Sequence, residues 1–162
     1  MQITPTPLPG VMLVRVEPAY DERGSFARLG CTATLAQHGI NFVPRQTSLS
    51  RSRRRGTLRG MHFQIPPSAE TKLVQCVAGV ILDVALDLRP ESSTYRRAFH
   101  AELSADNGLG LLIPPGCAHG MCHCPTMLRC STTSIATMTP RAAAGSAGTI
   151  RLSPLSGRWH PL

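Results

Sequence analysis

Residues 59–64 read Arg59-Gly60-Met61-His62-Phe63-Gln64, a β-type segment that also carries two side chains suited to chemistry on an anion. Arginine binds anions through a planar fork of donors, and histidine, which titrates near neutral pH, is the usual general base. Lys72 follows in the next β-type segment and adds a fixed positive charge. Together they predict a pocket that holds a phosphorylated or carboxylated molecule and moves a proton on it. By residue type alone, a surface arginine, a core histidine and a solvated lysine are the alternative.

Short β-type segments continue on both sides of this stretch and are separated by turns rich in Gly and Pro, of which the chain has 14 each. A turn is predicted at residues 21–24, one short helix at 32–38 before Gly39, and a loop at 141–148. Strands at intervals of about 8–12 residues indicate a sandwich or barrel. The predicted strands are 11–16, 47–51, 57–64, 73–77, 80–88, 97–103, 110–113, 127–135 and 149–152.

Size and composition favour one globular domain over residues 1–162. Apolar residues make up 42% and charged residues 16%, which is typical of a folded chain with a core. No apolar run approaches 18 residues, so no membrane span is predicted, and the N-terminus does not resemble a secretory signal. We therefore expect a cytosolic protein, whose six cysteines would stay reduced.

The charge balance points to an anionic partner. The net charge is +8, and residues 45–59 contain six arginines and no acidic residue. Such a stripe could attract nucleic acid or bind the pyrophosphate of a nucleotide-linked metabolite. Aromatic residues are 4% of the chain and this stretch has none, whereas binders of single strands place aromatic platforms between basic residues. The sequence thus favours a small anionic metabolite over nucleic acid.

One segment, Cys122-His123-Cys124, has metal-ligand residue types. It lacks the two-residue spacing between ligands that zinc sites favour. Residues at i and i+2 of a strand share a face, so such a pair arises easily without a metal. No metal and no cofactor is predicted.

The longer pattern is carried by several motifs in a fixed order. They are Leu8-Pro9-Gly10-Val11, Asp21-Glu22-Arg23-Gly24-Ser25-Phe26, Gly56-Thr57-Leu58-Arg59-Gly60-Met61-His62-Phe63-Gln64, Lys72-Leu73-Val74, Asp83-Val84-Ala85-Leu86-Asp87-Leu88-Arg89 and Pro114-Pro115-Gly116-Cys117-Ala118-His119-Gly120. This pattern resembles the dTDP-4-dehydrorhamnose 3,5-epimerases of the cupin superfamily over nearly the whole chain. The resemblance implies an all-β, double-stranded β-helix (cupin jelly roll) with short helical turns. It also implies a homodimer without metal, acting on a dTDP-linked 4-keto-6-deoxy sugar in deoxysugar biosynthesis.

The resemblance also implies roles for individual residues. His62 would be the base that removes the proton next to the ketone, and Lys72 would stabilise the enolate oxygen. The nucleotide and its phosphates would be bound by Arg23, Arg59 and His119. Further substrate contacts implied by the motifs are Gln46, Ser48 (where the family has Asn) and Phe26, an aromatic that packs near the base.

Among several departures from the family pattern, two concern the catalytic residues. Thr132 stands where the family has its acidic tyrosine, and Ser153 where the family has the aspartate that orients the catalytic histidine. Asp83 or Asp87 could orient His62 instead, although structural partners for both are the favoured interpretation. The alternatives are therefore a single-centre epimerase and a relative that binds a nucleotide-sugar without turnover. A metal-dependent cupin is disfavoured because the pattern around His62 lacks a ligand.

Overall fold

The computed structural model describes residues 1–123, 132–139 and 147–149, the last two ranges through their backbone only. These residues form short strands and one helix of six residues. In chain order the elements are β1 Gln2–Pro5, β2 Met12–Arg15, β3 Ala19–Asp21, β4 Gly24–Phe26, α1 Thr32–Gln37, β5 Gln46–Ser52, β6 Leu58–Gln64, β7 Thr71–Ala78, β8 Val80–Asp87, β9 Ala98–Ser104, β10 Leu109–Ile113, β11 Cys117–His123, β12 Thr132–Thr139 and β13 Ala147–Thr149. The prediction of an all-β chain with a short helical segment is confirmed.

The strands form two antiparallel sheets that share one core. The six-stranded sheet has the order β1-β2-β10-β7-β12-β5, and the five-stranded sheet has the order β13-β6-β11-β8-β9. A separate two-stranded hairpin consists of β3 and β4. Strands adjacent in each sheet come from distant parts of the sequence, which is how a jelly roll brings remote segments together.

The core identifies the inner face of each sheet. Val74 and Leu111 of the six-stranded sheet are fully buried in one cluster with Ile81, Ala85 and Leu103 of the five-stranded sheet. Burial of each large aliphatic side chain stabilises the fold by about 1.5–3 kcal/mol. Because alternate residues of a strand share a face, these positions show which neighbouring side chains also point between the sheets.

Most predicted strands are confirmed, and three features were missed. The helix over 32–37 is confirmed, and it ends before Gly39, whose φ of +73° suits a residue after a helix. The missed features are β1, the strands on either side of the predicted turn at 21–24, and β11, whose mixed His, Gly and Cys sequence has no clear β signal. The loop predicted at 141–148 is wrong for 147 and 148, which belong to β13. Residues 127–131 and 150–152 of two predicted strands, residues 141–146 of the loop, and Ser153 lie outside the described residues.

Candidate active site

A bulge in β6 brings Arg59 and His62 to the same face. In the pairing of β6 with β11, His62 lies opposite His119 and Arg59 lies opposite Met121, so β6 has one residue more than β11 between these pairs. Residues directly opposite each other share a face, and so do His119 and Met121, which are two residues apart in β11. Arg59 and His62, which lie opposite them, therefore point to that same face. Strict alternation had predicted Arg59 and His62 on opposite faces. That prediction is wrong because the extra residue shifts the alternation by one.

Glycine is required where the bulge crosses β11. Gly60 has a φ of +117°, and a Cβ there would lie 2.5 Å from the Cα of Gly120 and 2.7 Å from the carbonyl oxygen of His119. Both contacts are with backbone, so neither can be relieved by rotating a side chain. The close approach of the two strands holds His62 and His119 side by side on the inner face.

Lys72 enters the same space from the facing sheet. It lies two residues before Val74, which is fully buried between the sheets, so the two side chains share the inner face. In the register across β12, Met138 pairs with both Lys72 of β7 and Gln46 of β5. Gln46 is therefore in the same row as Lys72, and its Nε2 donates a hydrogen bond of 3.3 Å to Ser48 Oγ.

His62 lies among positively charged groups. Its pKa is held below the usual value of 6.5, first by desolvation and then by the charges of Lys72, His119 and Arg59. The charges that lower the pKa come from side chains on both sheets. A lowered pKa keeps the imidazole neutral near pH 7, and the neutral form is the one that accepts a proton.

Two carboxylates partner the other polar groups of the site. Nζ of Lys72 lies 3.0 Å from Oε1 of Glu70, and the two side chains are 11% and 7% exposed. Nε2 of His119 lies 2.7 Å from Oδ1 of Asp83, and this pair is buried. Sequence reasoning did not identify either pair. The Glu-x-Lys spacing on a strand was an available signal for the first, whereas the second follows only from the register of β8 with β11.

Asp83 and Asp87, the two aspartates that could orient His62, both have other partners in the structure. Asp83 binds His119. Asp87 accepts hydrogen bonds from Nε of Arg89 at 2.8 Å, Oγ of Ser92 at 2.6 Å and Oγ1 of Thr94 at 2.7 Å. The guanidinium of Arg89 is the main reason that the pKa of Asp87 lies well below its usual range.

Arg59 is tethered to the neighbouring sheet and remains exposed. Its Nη2 donates to the carbonyl oxygen of Arg51 at 3.0 Å, and its Nε donates to Ser52 Oγ at 3.4 Å. The register places Thr132 directly opposite Ser52. The position at which the family has its acidic tyrosine is thus in the six-stranded sheet, across from the sheet that carries His62.

Arg23 and Phe26 are not brought to the other candidate residues within the chain. Arg23 is 86% exposed and its Nη2 lies 2.6 Å from Oδ2 of Asp21 in the same hairpin. Phe26 is 77% exposed and lines a surface pocket with Met1 and other residues near α1. The described structure therefore groups Arg59, His62, Lys72, His119, Gln46 and Ser48, and it leaves the hairpin residues apart.

The candidate metal segment has other partners. Nδ1 of His123 lies 3.1 Å from the carbonyl oxygen of Arg54, and Sγ of Cys122 lies 3.8 Å from the carbonyl oxygen of His123. Cys124 lies outside the described residues. Within the described ranges, no group of three His, Cys, Asp or Glu side chains could hold a metal ion, and no helix there is long and apolar enough to cross a membrane.

Comparison with known sequences finds relatives that are described as dTDP-4-dehydrorhamnose 3,5-epimerases. A family model described as dTDP-4-dehydrorhamnose 3,5-epimerase matches residues 5–143. The protein of that name from Shigella flexneri is 38% identical over 125 residues, which are 75% of this chain and 67% of the relative. The one from Sinorhizobium fredii is 40% identical over 110 residues, 68% of this chain and 56% of the relative. The chain thus matches between half and two thirds of the length of these relatives.

Comparison with solved structures gives the same group. The dTDP-4-dehydrorhamnose 3,5-epimerase of Elizabethkingia anophelis superposes with a TM-score of 0.82 at 31% identity, covering 93% of this chain and 80% of the other. A 3,5-epimerase of Legionella pneumophila, solved with dTDP-4-keto-L-rhamnose, has a TM-score of 0.83 at 29% identity and coverages of 92% and 77%. A 3'-monoepimerase of Streptomyces bikiniensis, solved with dTDP-quinovose, has a TM-score of 0.77 at 25% identity and coverages of 86% and 69%.

Proposed function

Because the chain belongs to the dTDP-4-dehydrorhamnose 3,5-epimerase family, we propose that it is an isomerase that epimerises a dTDP-linked 4-keto-6-deoxy sugar in deoxysugar biosynthesis. The observation that carries this proposal is the placement of His62 and Lys72 on facing sheets, with the pKa of His62 lowered by its surroundings. A sugar ring between the sheets would meet a neutral imidazole on one side and an ammonium from the other.

The chemistry needs both groups. A hydrogen on a carbon next to a ketone becomes acidic only when the oxygen of the resulting enolate is stabilised. His62 would take the proton from that carbon as general base. Lys72 would place its ammonium at the ketone oxygen, where negative charge develops during proton removal. To complete the inversion, water would return a proton to the carbon from the face opposite His62, and the His62 imidazolium would release its proton to solvent, so no cofactor enters these steps.

The neighbouring residues suit the rest of the substrate. Arg59 lies on the same face as His62 and is exposed, so its guanidinium is available to the diphosphate. His119, whose Nε2 is held by Asp83, would contact the phosphate through its other ring nitrogen, Nδ1. Gln46 and Ser48, in and near the row of Lys72, would contact the polar groups of the sugar or base.

A second copy of the chain would complete the site. The hairpin of β3 and β4 presents Tyr20, 78% exposed, and Phe26, 77% exposed, beside the cationic Arg23. Exposed aromatic residues on a surface hairpin favour burial against a partner. We propose a homodimer in which the hairpin of one protomer delivers Arg23 and Phe26 to the site of the other. Analytical ultracentrifugation would compare the unaltered chain with the double variant Tyr20→Ser/Phe26→Ser. The unaltered chain should sediment as a dimer, and the double variant should sediment as a monomer.

The test of the activity is proton exchange in heavy water. The chain is incubated with dTDP-4-keto-6-deoxyglucose, and the sugar protons are followed by NMR. Deuterium at C3 and C5 with a new stereoisomer is the expected result. His62→Asn should lose exchange, whereas His100→Asn, which alters an exposed histidine of β9, should keep it.

Other outcomes would change the proposal. Exchange at one carbon only would indicate a single-centre epimerase. An absence of exchange with dTDP binding still measurable by calorimetry would indicate a protein that binds nucleotide-sugars without turnover. Cytosolic location and the single domain over 1–162 stay predictions.

A further inference from the structure

Lys72 is the one lysine in the chain. The other sixteen of its seventeen basic residues are arginines. The two side chains are not interchangeable, because the ammonium is a compact charge on a flexible stem, whereas the guanidinium is a planar fork. A lysine at this position, in a chain that otherwise uses arginine, indicates that the compact ammonium itself is needed in the site.

Glu70 differs in burial from the other four glutamates of the chain. Glu17, Glu22, Glu91 and Glu102 are exposed, whereas the side chain of Glu70 is 7% exposed. Burial of a carboxylate is unfavourable unless a partner compensates for the lost hydration. Oε1 of Glu70 lies 3.0 Å from Nζ of Lys72, which supplies that compensation.

The sequence spacing explains why the two side chains meet. Glu70 lies directly before β7 and two residues before Lys72, so in extended chain their side chains point to the same face. That face is the inner one, because Val74 continues the same alternation into the core. The pair therefore lies in the space that His62 faces from the other sheet.

We infer that Glu70 is a positioning residue that holds the ammonium of Lys72 at the place where the ketone oxygen of the substrate binds. This inference rests on the proposed function. A lysine stem has four rotatable carbons and would otherwise sample many positions, several of them directed toward solvent. An electrostatic group contributes most to catalysis when it is fixed before charge develops, so a tethered ammonium is more effective than a mobile one.

The charges around the pair support this role. His62 is surrounded by Lys72 from β7, Arg59 from its own strand and His119 from β11, and all of these lower its pKa. The carboxylate of Asp83 is engaged by His119. Glu70 is thus the described carboxylate that compensates the charge of Lys72, and without it the ammonium would be repelled by the remaining cationic groups.

The kinetic test is a double-mutant cycle on the deuterium exchange reaction. Glu70→Gln is expected to lower kcat by about 10- to 100-fold through misplacement of the ammonium, with KM changed by less than about 3-fold. Lys72→Met should lower kcat further. The double variant should match Lys72→Met, because a residue that acts only through Lys72 has no effect in its absence. Glu102→Gln, which removes an exposed carboxylate of β9, is the matched control and should behave as the wild type.

A second readout does not depend on activity. Lys72 is the one side-chain amine of the chain, so labelling with trinitrobenzenesulfonate followed by peptide mass spectrometry separates its reaction from that of the α-amino group. Labelling of Lys72 should be at least about fivefold faster in Glu70→Gln than in the wild type, while the Glu102→Gln control stays unchanged. Circular dichroism and urea unfolding establish that each variant is folded before labelling.

The outcomes separate this inference from the proposed function. If the wild type shows no exchange, the proposed activity fails, and the labelling rates still decide whether Glu70 holds Lys72. If Glu70→Gln labels at the wild-type rate, or if its effect on kcat adds fully to that of Lys72→Met, the positioning role is overturned.

Discussion

Substitution of Gly60 by alanine tests whether the close approach of β6 to β11 at the bulge requires a glycine. A Cβ at residue 60 would lie 2.5 Å from the Cα of Gly120 and 2.7 Å from the carbonyl oxygen of His119, and ordinary contacts there are 3.4–4 Å. The two strands would have to separate by roughly 1 Å to accept it. Gly60 also has a φ of +117°, a conformation that side-chain-bearing residues rarely adopt.

The expected loss in the free energy of unfolding of Gly60→Ala is the sum of two contributions. A positive φ costs a non-glycine residue about 1–2 kcal/mol. Separation of β6 from β11 weakens at least two backbone hydrogen bonds, each of which contributes about 1 kcal/mol. We therefore expect Gly60→Ala to lower the free energy of unfolding by about 3–5 kcal/mol, a large part of the 5–15 kcal/mol that is usual for a domain.

Two further glycines separate these contributions. Gly56 has a φ of +70° and nothing within 4 Å of an added Cβ, so Gly56→Ala should lose only the conformational part, about 1 kcal/mol. A Cβ on Gly120 would lie 2.6 Å from Sδ of Met61, which can move with its side chain, and 3.1 Å from the carbonyl oxygen of Arg59, so Gly120→Ala should be intermediate. Urea unfolding followed by far-UV circular dichroism gives the three values. If Gly60→Ala and Gly56→Ala agree within about 0.5 kcal/mol, the close approach of the strands is not what requires glycine.

Three more predictions concern the charges of the site. The rate of deuterium exchange should fall only below pH 6.5, because the pKa of His62 is lowered and the imidazole stays neutral at higher pH. An NMR titration of the His62 ring protons with a midpoint above pH 6.5 would contradict this prediction. Replacement of the three arginines at 53–55 by serine should lower kcat/KM several-fold at low salt and flatten its dependence on ionic strength, since an exposed basic loop attracts an anionic substrate. His119→Ala should lower the free energy of unfolding by about 3–5 kcal/mol, because it leaves the buried carboxylate of Asp83 without its described partner. Urea unfolding checks this, and a loss under about 1 kcal/mol would show that Asp83 does not depend on His119.

Local sequence signals were sufficient to predict an all-β chain with one short helix. Turns of Gly and Pro separate most of the strands, and Gly39 marks the end of α1. The motif context identified His62 and Lys72, which the structure places on facing sheets. The strand and turn predictions were confirmed because each depends on residues that are close together in the sequence, whereas the roles of His62 and Lys72 stay predictions.

The remaining features depend on pairing between distant strands. The common face of Arg59 and His62 results from a bulge, and the bulge is visible only in the register of β6 with β11. The contact of His119 with Asp83 likewise requires the register of β11 with β8, residues 36 apart in sequence. Period-two alternation assumes an unbroken ladder, so it fails where one residue is inserted.

The arrangement of the two sheets also decides how Lys72 acts. At the ketone oxygen, its ammonium stabilises the enolate, and Lys72→Met should slow deuterium exchange and inversion by the same large factor. As proton donor to the carbon, it would deliver a proton from the face opposite His62, and the substitution would abolish inversion while exchange continued. An ammonium has an ordinary pKa close to that of a phenol, so either role is chemically suitable. The pairing with Glu70, which fixes the ammonium at one place, favours the oxygen. The isotope pattern of Lys72→Met, read from the sugar protons by NMR, would refute that role if exchange survived without inversion.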